Sequence, residues 1–146
     1  MQTNKPVTVV NAEGLILGRM ASNVAKRLLN GEAVVIVNAE KAVISGKKAS
    51  KVAEAKEFLS VGAPNRGPFH YRRPDRIVRK TVRGMLPYKQ SKGKNAYKRL
   101  RVYIGLPEDY KDKPAVTLKT AEATRLRGPR LTVADLAAEL GWTRSV

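Results

Sequence analysis

Residues Val7 to Val37 read VTVVNAEGLILGRMASNVAKRLLNGEAVVIV, and this stretch decides the fold. Val7 to Val10 is a short β-branched run, the composition of a buried strand. Asn11-Ala12-Glu13-Gly14 then turns the chain. From Leu17 the apolar residues are Leu17, Met20, Ala21, Val24, Ala25, Leu28 and Leu29. That is the helical period of about 3.6 residues, so the segment is an amphipathic helix with Arg19, Asn23, Lys26 and Arg27 off its apolar stripe. Gly31 supplies a left-handed end to it. Ala33-Val34-Val35-Ile36-Val37 is apolar without alternation, as a parallel strand covered on both faces is. Strand, helix and strand follow with the crossover length of a right-handed βαβ unit.

Downstream, Asn38 to Ile44 is open between a short helix and another strand, and Ser45-Gly46-Lys47-Lys48 is a basic turn. Ala49 to Leu59 is expected to be helical, with Val52, Ala55, Phe58 and Leu59 as its buried stripe. Gly62, Pro64, Gly67 and Pro68 make a loop. Pro74 opens another helix, with Asp75 complementing its dipole. Ile77, Val78, Thr81, Val82 and Met85 form one face of it, and Arg76, Arg79, Lys80 and Arg83 fall largely on the other. Gly84 and Pro87 stop it, and Met85 and Leu86 are expected to tuck into the core. Ser91 to Asn95 reads as a flexible basic loop, Ala96 to Leu100 as one or two helical turns, and Arg101 to Ile104 as a strand closed by Gly105. Pro107 and Pro114 mark an extended connector. Thr132 is placed to cap a last helix, Val133 to Leu140, with Trp142 folding back as an anchor. Met1 to Pro6 is polar and reads as loose.

Charge is the second message. The chain has 146 residues, about one domain, with 29 basic and 12 acidic residues and a net charge of +17. From Arg66 to Arg101 there are 13 Lys or Arg and the single acid Asp75, so +12 of the excess lies in that segment. A solvated surface normally mixes signs, and concentrated like charge destabilises a compact state unless something neutralises it. A polyanion is the expected partner, and Phe69, Tyr71, Tyr88 and Tyr97 offer flat faces for unstacked bases. Residues 102 to 146 hold 7 basic and 6 acidic residues. That balance suits contact with protein or solvent, although Arg125, Arg127 and Arg130 qualify it.

Other classes fare less well. There is no cysteine and one histidine, His70, which excludes disulfide scaffolds, thiolate sites and histidine-rich metal sites. No apolar run reaches the roughly 20 residues of a membrane span. The N-terminus lacks a signal peptide's apolar region, so the chain reads as cytosolic. Gly14 and Gly18 flank a strand-to-helix turn, but the spacing is neither a nucleotide P-loop nor a Rossmann fingerprint. The turn reads as a tight βα connection with glycines for close packing. The alternative is helix N-terminal N–H groups meeting an RNA phosphate beside Arg19, and Ser45-Gly46-Lys47-Lys48 carries the same two readings. His70 lacks a nucleophile or acid beside it. It is either a stacking or hydrogen-bonding contact to RNA or a packed loop residue.

Several segments resemble one family. They are Gly14-Leu15-Ile16-Leu17-Gly18-Arg19-Met20-Ala21-Ser22, Val37-Asn38-Ala39-Glu40-Lys41 with Ser45-Gly46-Lys47, Val82-Arg83-Gly84-Met85-Leu86-Pro87, and Lys98-Arg99-Leu100-Arg101-Val102-Tyr103. They are similar, in order, to the universal large-subunit ribosomal proteins numbered thirteen, over about Val7 to Gly105. Arg72-Arg73-Pro74-Asp75-Arg76 looks like the archaeal and eukaryotic branch, and the short length favours archaeal. The resemblance implies an α/β fold, three-layer α/β/α with a small mostly parallel sheet. It also implies a structural role in the large ribosomal subunit, binding to large-subunit rRNA, support of subunit assembly and no catalysis.

The resulting expectation is a single domain, 1 to 146, with a core at about 7 to 105 and a C-terminal extension. RNA phosphates would be met by Arg72, Arg73, Arg76, Arg79, Lys80 and Arg83. Lys89, Lys92 and Lys94 are expected to order only on RNA, and Lys98 lies beside them. Arg19, Lys47 and Lys48 form a second tier. Neighbouring large-subunit proteins are the further partners; no cofactor, metal, membrane or small-molecule substrate is expected. The alternatives are a stand-alone RNA- or DNA-binding regulator and, further off, a nucleotide-dependent enzyme.

Overall fold

The computed structural model describes residues 7–143, so the loose reading of Met1 to Pro6 lies outside the described residues. The opening unit forms as its sequence requires: β1 (Val7–Asn11), α1 (Leu17–Leu29) and β2 (Ala33–Val37). β1 and β2 pair in parallel, from Val7 opposite Ala33 to Asn11 opposite Val37. Gly31 has φ +94°, the left-handed end that its position after α1 calls for. Residues 38 to 44 hold both of the structures left open for them. A 3-10 turn at Ala39–Lys41 is followed by β3 (Val43–Ser45).

The remaining elements are α2 (Lys48–Ser60), α3 (Pro74–Gly84), α4 (Ser91–Lys98), β4 (Leu100–Val102), β5 (Ala115–Val116), β6 (Arg130–Thr132) and α5 (Val133–Glu139). The main sheet runs β4-β2-β1-β5, and its three pairings are all parallel. β3 and β6 form a separate antiparallel pair, Val43 opposite Thr132. The α/β class with a small, mostly parallel sheet is therefore the observed architecture. The segment after Gly105 is woven into it: β5 extends the sheet beside β1, and β6 leads directly into α5. The connector expected between Pro107 and Pro114 carries a 3-10 turn at Glu108–Tyr110. At α5, Thr132 accepts from the Asp135 N–H at 3.1 Å and Asp135 returns the bond to the Thr132 N–H, a reciprocal capping box.

Period two divides the sheet residues between its faces. Val10, Val34 and Ile36 join a core with Met20, Ala21, Val24 and Leu28 of α1 and Val78 and Val82 of α3. On the opposite face, Val9, Val35 and Val37 are covered by Tyr103 and Tyr110 from the segment after β4. Asn38 takes the left-handed conformation, φ +55°, and its side-chain amide donates to Asn11 at 3.0 Å. The buried Glu40 carboxylate accepts from the Gly105 N–H at 3.0 Å, which fixes the chain leaving β4.

Four expectations need correction. No residue of α2 is fully buried, and Phe58 is 52% exposed, because α2 leans on α5 through Val52, Ala55 and Leu59 only. Met85 is exposed, while Leu86 alone turns inward. The basic loop Ser91 to Asn95 is the first part of α4, and its Gly93 serves close approach: a Cβ there would lie 1.9 Å from the Pro87 carbonyl oxygen. Gly18 does not serve close packing, since nothing lies within 4 Å of where its Cβ would stand.

Two glycine substitutions should therefore move stability in opposite directions. G93A should cost about 1–3 kcal/mol or more through overpacking, and G18A should gain about 0.4–1 kcal/mol from helix propensity and chain entropy. Denaturant unfolding of both variants measures this. A second check is alkaline. Burial, then the neighbouring Tyr103, holds the Tyr110 phenol above its usual value. The folded state thus favours the neutral phenol. Its contribution is complete below pH ~10, the unfolded value, and is lost as pH rises through the raised folded value. Y110F should remove that alkaline loss in stability measured against pH.

Candidate nucleic-acid interface

The cationic stretch acquires its shape from α3. Pro74 is buried at the first turn, and Asp75 accepts the Arg76 N–H at 2.9 Å. Val78 and Val82, one turn apart, are both 0% exposed and pin the helix to the core. Arg76 and Arg83 therefore face outward and Arg79 lies half-buried on the flank, and each meets a tyrosine. The Arg76 guanidinium lies 5.7 Å from the Tyr71 ring centre, Arg79 4.5 Å from Tyr97 and Arg83 4.0 Å from Tyr88. Tyr88 and Tyr97 meet edge to face at 5.5 Å, tying the turn after α3 to α4. The Arg79 Nε is buried with no hydrogen-bond partner. The tyrosines were expected to present flat faces to bases; at Tyr71, Tyr88 and Tyr97 a guanidinium already covers one face.

The other candidates separate by role. Arg72 donates to the Leu140 carbonyl at 3.4 Å, tethering the loop to the end of α5. Arg73 is paired with Asp75 at 3.4 Å. Lys80 donates to His70 Nδ1 at 3.0 Å, and the His70 ring also contacts Phe58. Lys80 and Arg83 share with Lys89 an open groove of about 580 Å³, floored by Gly84, Leu86, Pro87 and Tyr88. Lys92, Lys94 and Lys98 are exposed on α4; Lys92 and Lys94 were expected in a loop that orders only on RNA, and Lys98 in the helical turns after it. Arg19 is exposed in the first turn of α1, and Lys47 and Lys48 are exposed at the start of α2, with Lys48 3.7 Å from Glu139. Among the described residues, Arg73–Asp75 is the only ion pair within the 66–101 stretch. The other cations there have no acidic partner among the described residues.

The glycine turn before α1 is occupied by its own fold. The N–H groups of Gly14, Leu15 and Ile16 donate to the carbonyls of Lys41, Ala12 and Ala121 at 3.4, 3.1 and 2.7 Å. Ala123 donates back to the Gly14 carbonyl at 2.8 Å. These bonds make the segment before Leu17 a tight βα connection; an anion at this end of α1 would meet the N–H groups of its first turn, Leu17 to Arg19. Among the described residues no cluster of three His, Asp or Glu could hold a metal, and no helix is long and apolar enough to cross a membrane.

Sequence pattern missed the tyrosine partners of Arg76, Arg79 and Arg83. It also missed Arg99, which donates to the Leu28 carbonyl at the end of α1. These contacts join distant segments and follow no local period. What the arrangement can do is bind an anion too large for one pocket. It offers several guanidinium groups pre-ordered on rings and lysines free to follow a backbone.

Comparison with known proteins gives the same direction. Residues 5–109 match the family model described as Ribosomal protein L13. The chain is similar to the Large ribosomal subunit protein uL13 of Methanococcoides burtonii, 52% identical over 136 residues, covering 92% of this chain and 98% of that one. The protein of the same name from Methanosarcina barkeri is 45% identical over 137 residues, with coverage of 92% and 98%. That from Saccharolobus solfataricus is 42% identical over 146 residues, covering 97% of each chain.

Replacing Arg76, Arg79 and Arg83 together by Gln should leave the fold intact. The loss is bounded by three cation–π contacts, about 0.5–1 kcal/mol each. Thermal unfolding should shift modestly, while affinity for RNA should fall; loss of folding would show that this face is structural and not a contact surface.

Proposed function

The chain belongs to the ribosomal protein L13 family, in its archaeal branch, and from that premise we propose how it works as a structural component of the large ribosomal subunit. It binds large-subunit rRNA and supports assembly of the subunit, and it performs no chemistry of its own. The whole of 1 to 146 acts as one ribosomal-protein domain in the cytoplasm, its core including Leu118, Ala121 and Val133 from the segment after Gly105. The part after Gly105, nearly balanced in charge, meets neighbouring large-subunit proteins.

One observation carries the reading: the cations of α3 and α4 have no acidic partners among the described residues, and three of them are held on tyrosine rings. Folding alone gains nothing from such a concentration of charge, whereas a phosphate backbone neutralises it and releases counterions. Arg76, Arg79, Lys80 and Arg83 are the primary phosphate contacts, with Lys89, Lys92, Lys94 and Lys98 extending the track across the groove. Arg72 and Arg73 hold the loop that leads into α3. Arg19, Lys47 and Lys48 serve RNA that passes the starts of α1 and α2. Recognition follows RNA shape more than sequence.

Two measurements test this. With about six phosphates neutralised, log K for archaeal large-subunit rRNA should fall against log salt with a slope of roughly −4 to −5. A flat slope would contradict the phosphate contacts. The protein should also co-sediment with the large subunit through high salt. Release at moderate salt would favour a stand-alone nucleic-acid-binding regulator instead.

A further inference from the structure

A cavity of about 200 Å³ opens between α2, α3 and α5, with Lys80 standing between it and the α3–α4 groove. Phe58 and Leu59 come from α2, His70 and Tyr71 from the loop, Lys80 from α3 and Leu140 from the end of α5. Its character is aromatic. The Phe58 and His70 rings lie 5.5 Å apart, tilted by 42°. The Lys80 ammonium donates to His70 Nδ1 at 3.0 Å, which leaves Nε2 as the donor nitrogen of that ring. The mouth is cationic: Lys80 lines the cavity, and Arg76 lies over Tyr71, another of its walls, at 5.7 Å.

Among the described residues nothing closes this site. Phe58 remains 52% exposed, and neighbouring Val61 and Phe69 are 52% and 72% exposed. α2, which carries Phe58, buries no residue completely. Apolar rings left in water beside unneutralised cations call for a ligand that is aromatic and anionic at once. A cavity of about 150 Å³ accepts benzene, so the volume here suits one heteroaromatic ring system. An apolar side chain from another protein would fill the space but bring no charge to set against Lys80 and Arg76. An RNA nucleotide brings both ring and phosphate.

We propose that this cavity receives one unstacked base of single-stranded large-subunit rRNA. The base packs against Phe58 and His70, and its flanking phosphates meet Lys80 and Arg76. The proposal rests on the rRNA reading above and assigns α2 and the loop before α3 a role that phosphate contacts alone do not explain. It makes this face a base-reading point beside a backbone-tracking one.

The test uses the full chain and deproteinised archaeal large-subunit rRNA. Replacing Phe58 and His70 together by Ala should weaken binding about 5- to 150-fold, the range found when a stacking ring is removed. The slope against salt should stay unchanged, since no phosphate contact is lost. The Arg76, Arg79 and Arg83 to Gln variant should instead flatten that slope. In parallel, the wild-type complex is irradiated at short ultraviolet wavelength and its peptides are analysed by mass spectrometry. A nucleotide adduct on Phe58, His70 or Tyr71 is the expected result. Unchanged affinity of the double variant overturns the proposal. So do adducts confined to other peptides, whatever the variant's affinity, or capture of Phe58 by a neighbouring protein in the whole subunit. Failure of the wild-type chain to bind rRNA at all would instead overturn the rRNA reading itself, so the two failures are distinguishable.

Discussion

Burial of Val78 and Val82 is the constraint on which this molecule depends. Both side chains are fully enclosed against the core that α1 and the sheet provide. Complete burial of such a residue is worth about 1.5–3 kcal/mol, and here it does more than stabilise. Fixing the valines inward turns Arg76 and Arg83 outward and sets Arg79 on the flank of the helix, where it is half-buried. The repulsion among those arginines is held in check by packing on the far side of the same helix. The cationic surface and the apolar core are consequences of one helical register.

The cations then divide into two mechanical kinds. The arginines of α3 rest on tyrosine rings, and two of those rings brace each other at the α3–α4 junction. A guanidinium is planar and weakly hydrated, so a ring can restrain it without consuming its charge. The lysines at 89, 92, 94 and 98 have no such backing and keep their side-chain freedom. The ring-backed arginines are fixed points of charge, and the exposed lysines are charge with no neighbour to orient it. Gly93 makes this division possible, because any side chain there would drive α4 away from the Pro87 carbonyl and separate Tyr97 from Arg79.

The βαβ unit was legible because a helical period and an unbroken apolar run are local properties, written within about thirty residues. The charged stretch was legible because composition does not depend on folding. What failed to show were features set by distant neighbours. Gly93 lowers helix propensity and so reads as a loop, although its purpose is close approach to another backbone. β5 and β6 are two and three residues long, too short to display alternation, and their pairing comes from β1 and β3. Phe58 satisfies the stripe of α2, but α2 touches the core along one edge only. The candidate site was visible as a stretch and not as residues. Arg72 and Arg99 look like any other cations in sequence, yet both are bound to carbonyls of the fold.

The sheet order also governs how the chain is made. β1 lies between β2 and β5, so one side of the first strand to be synthesised stays open until Ala115 and Val116 emerge. At elongation rates of roughly 5–20 residues per second, the delay from β2 is of order 4–16 seconds. A β-branched edge left open for that time is a template for pairing with other chains. The segment that emerges during the wait is Arg66 to Arg101, with its net charge of +12. Mutual repulsion between nascent copies keeps their open edges apart. The charge that suits the finished protein to a polyanion thus also guards the half-made one against its own kind.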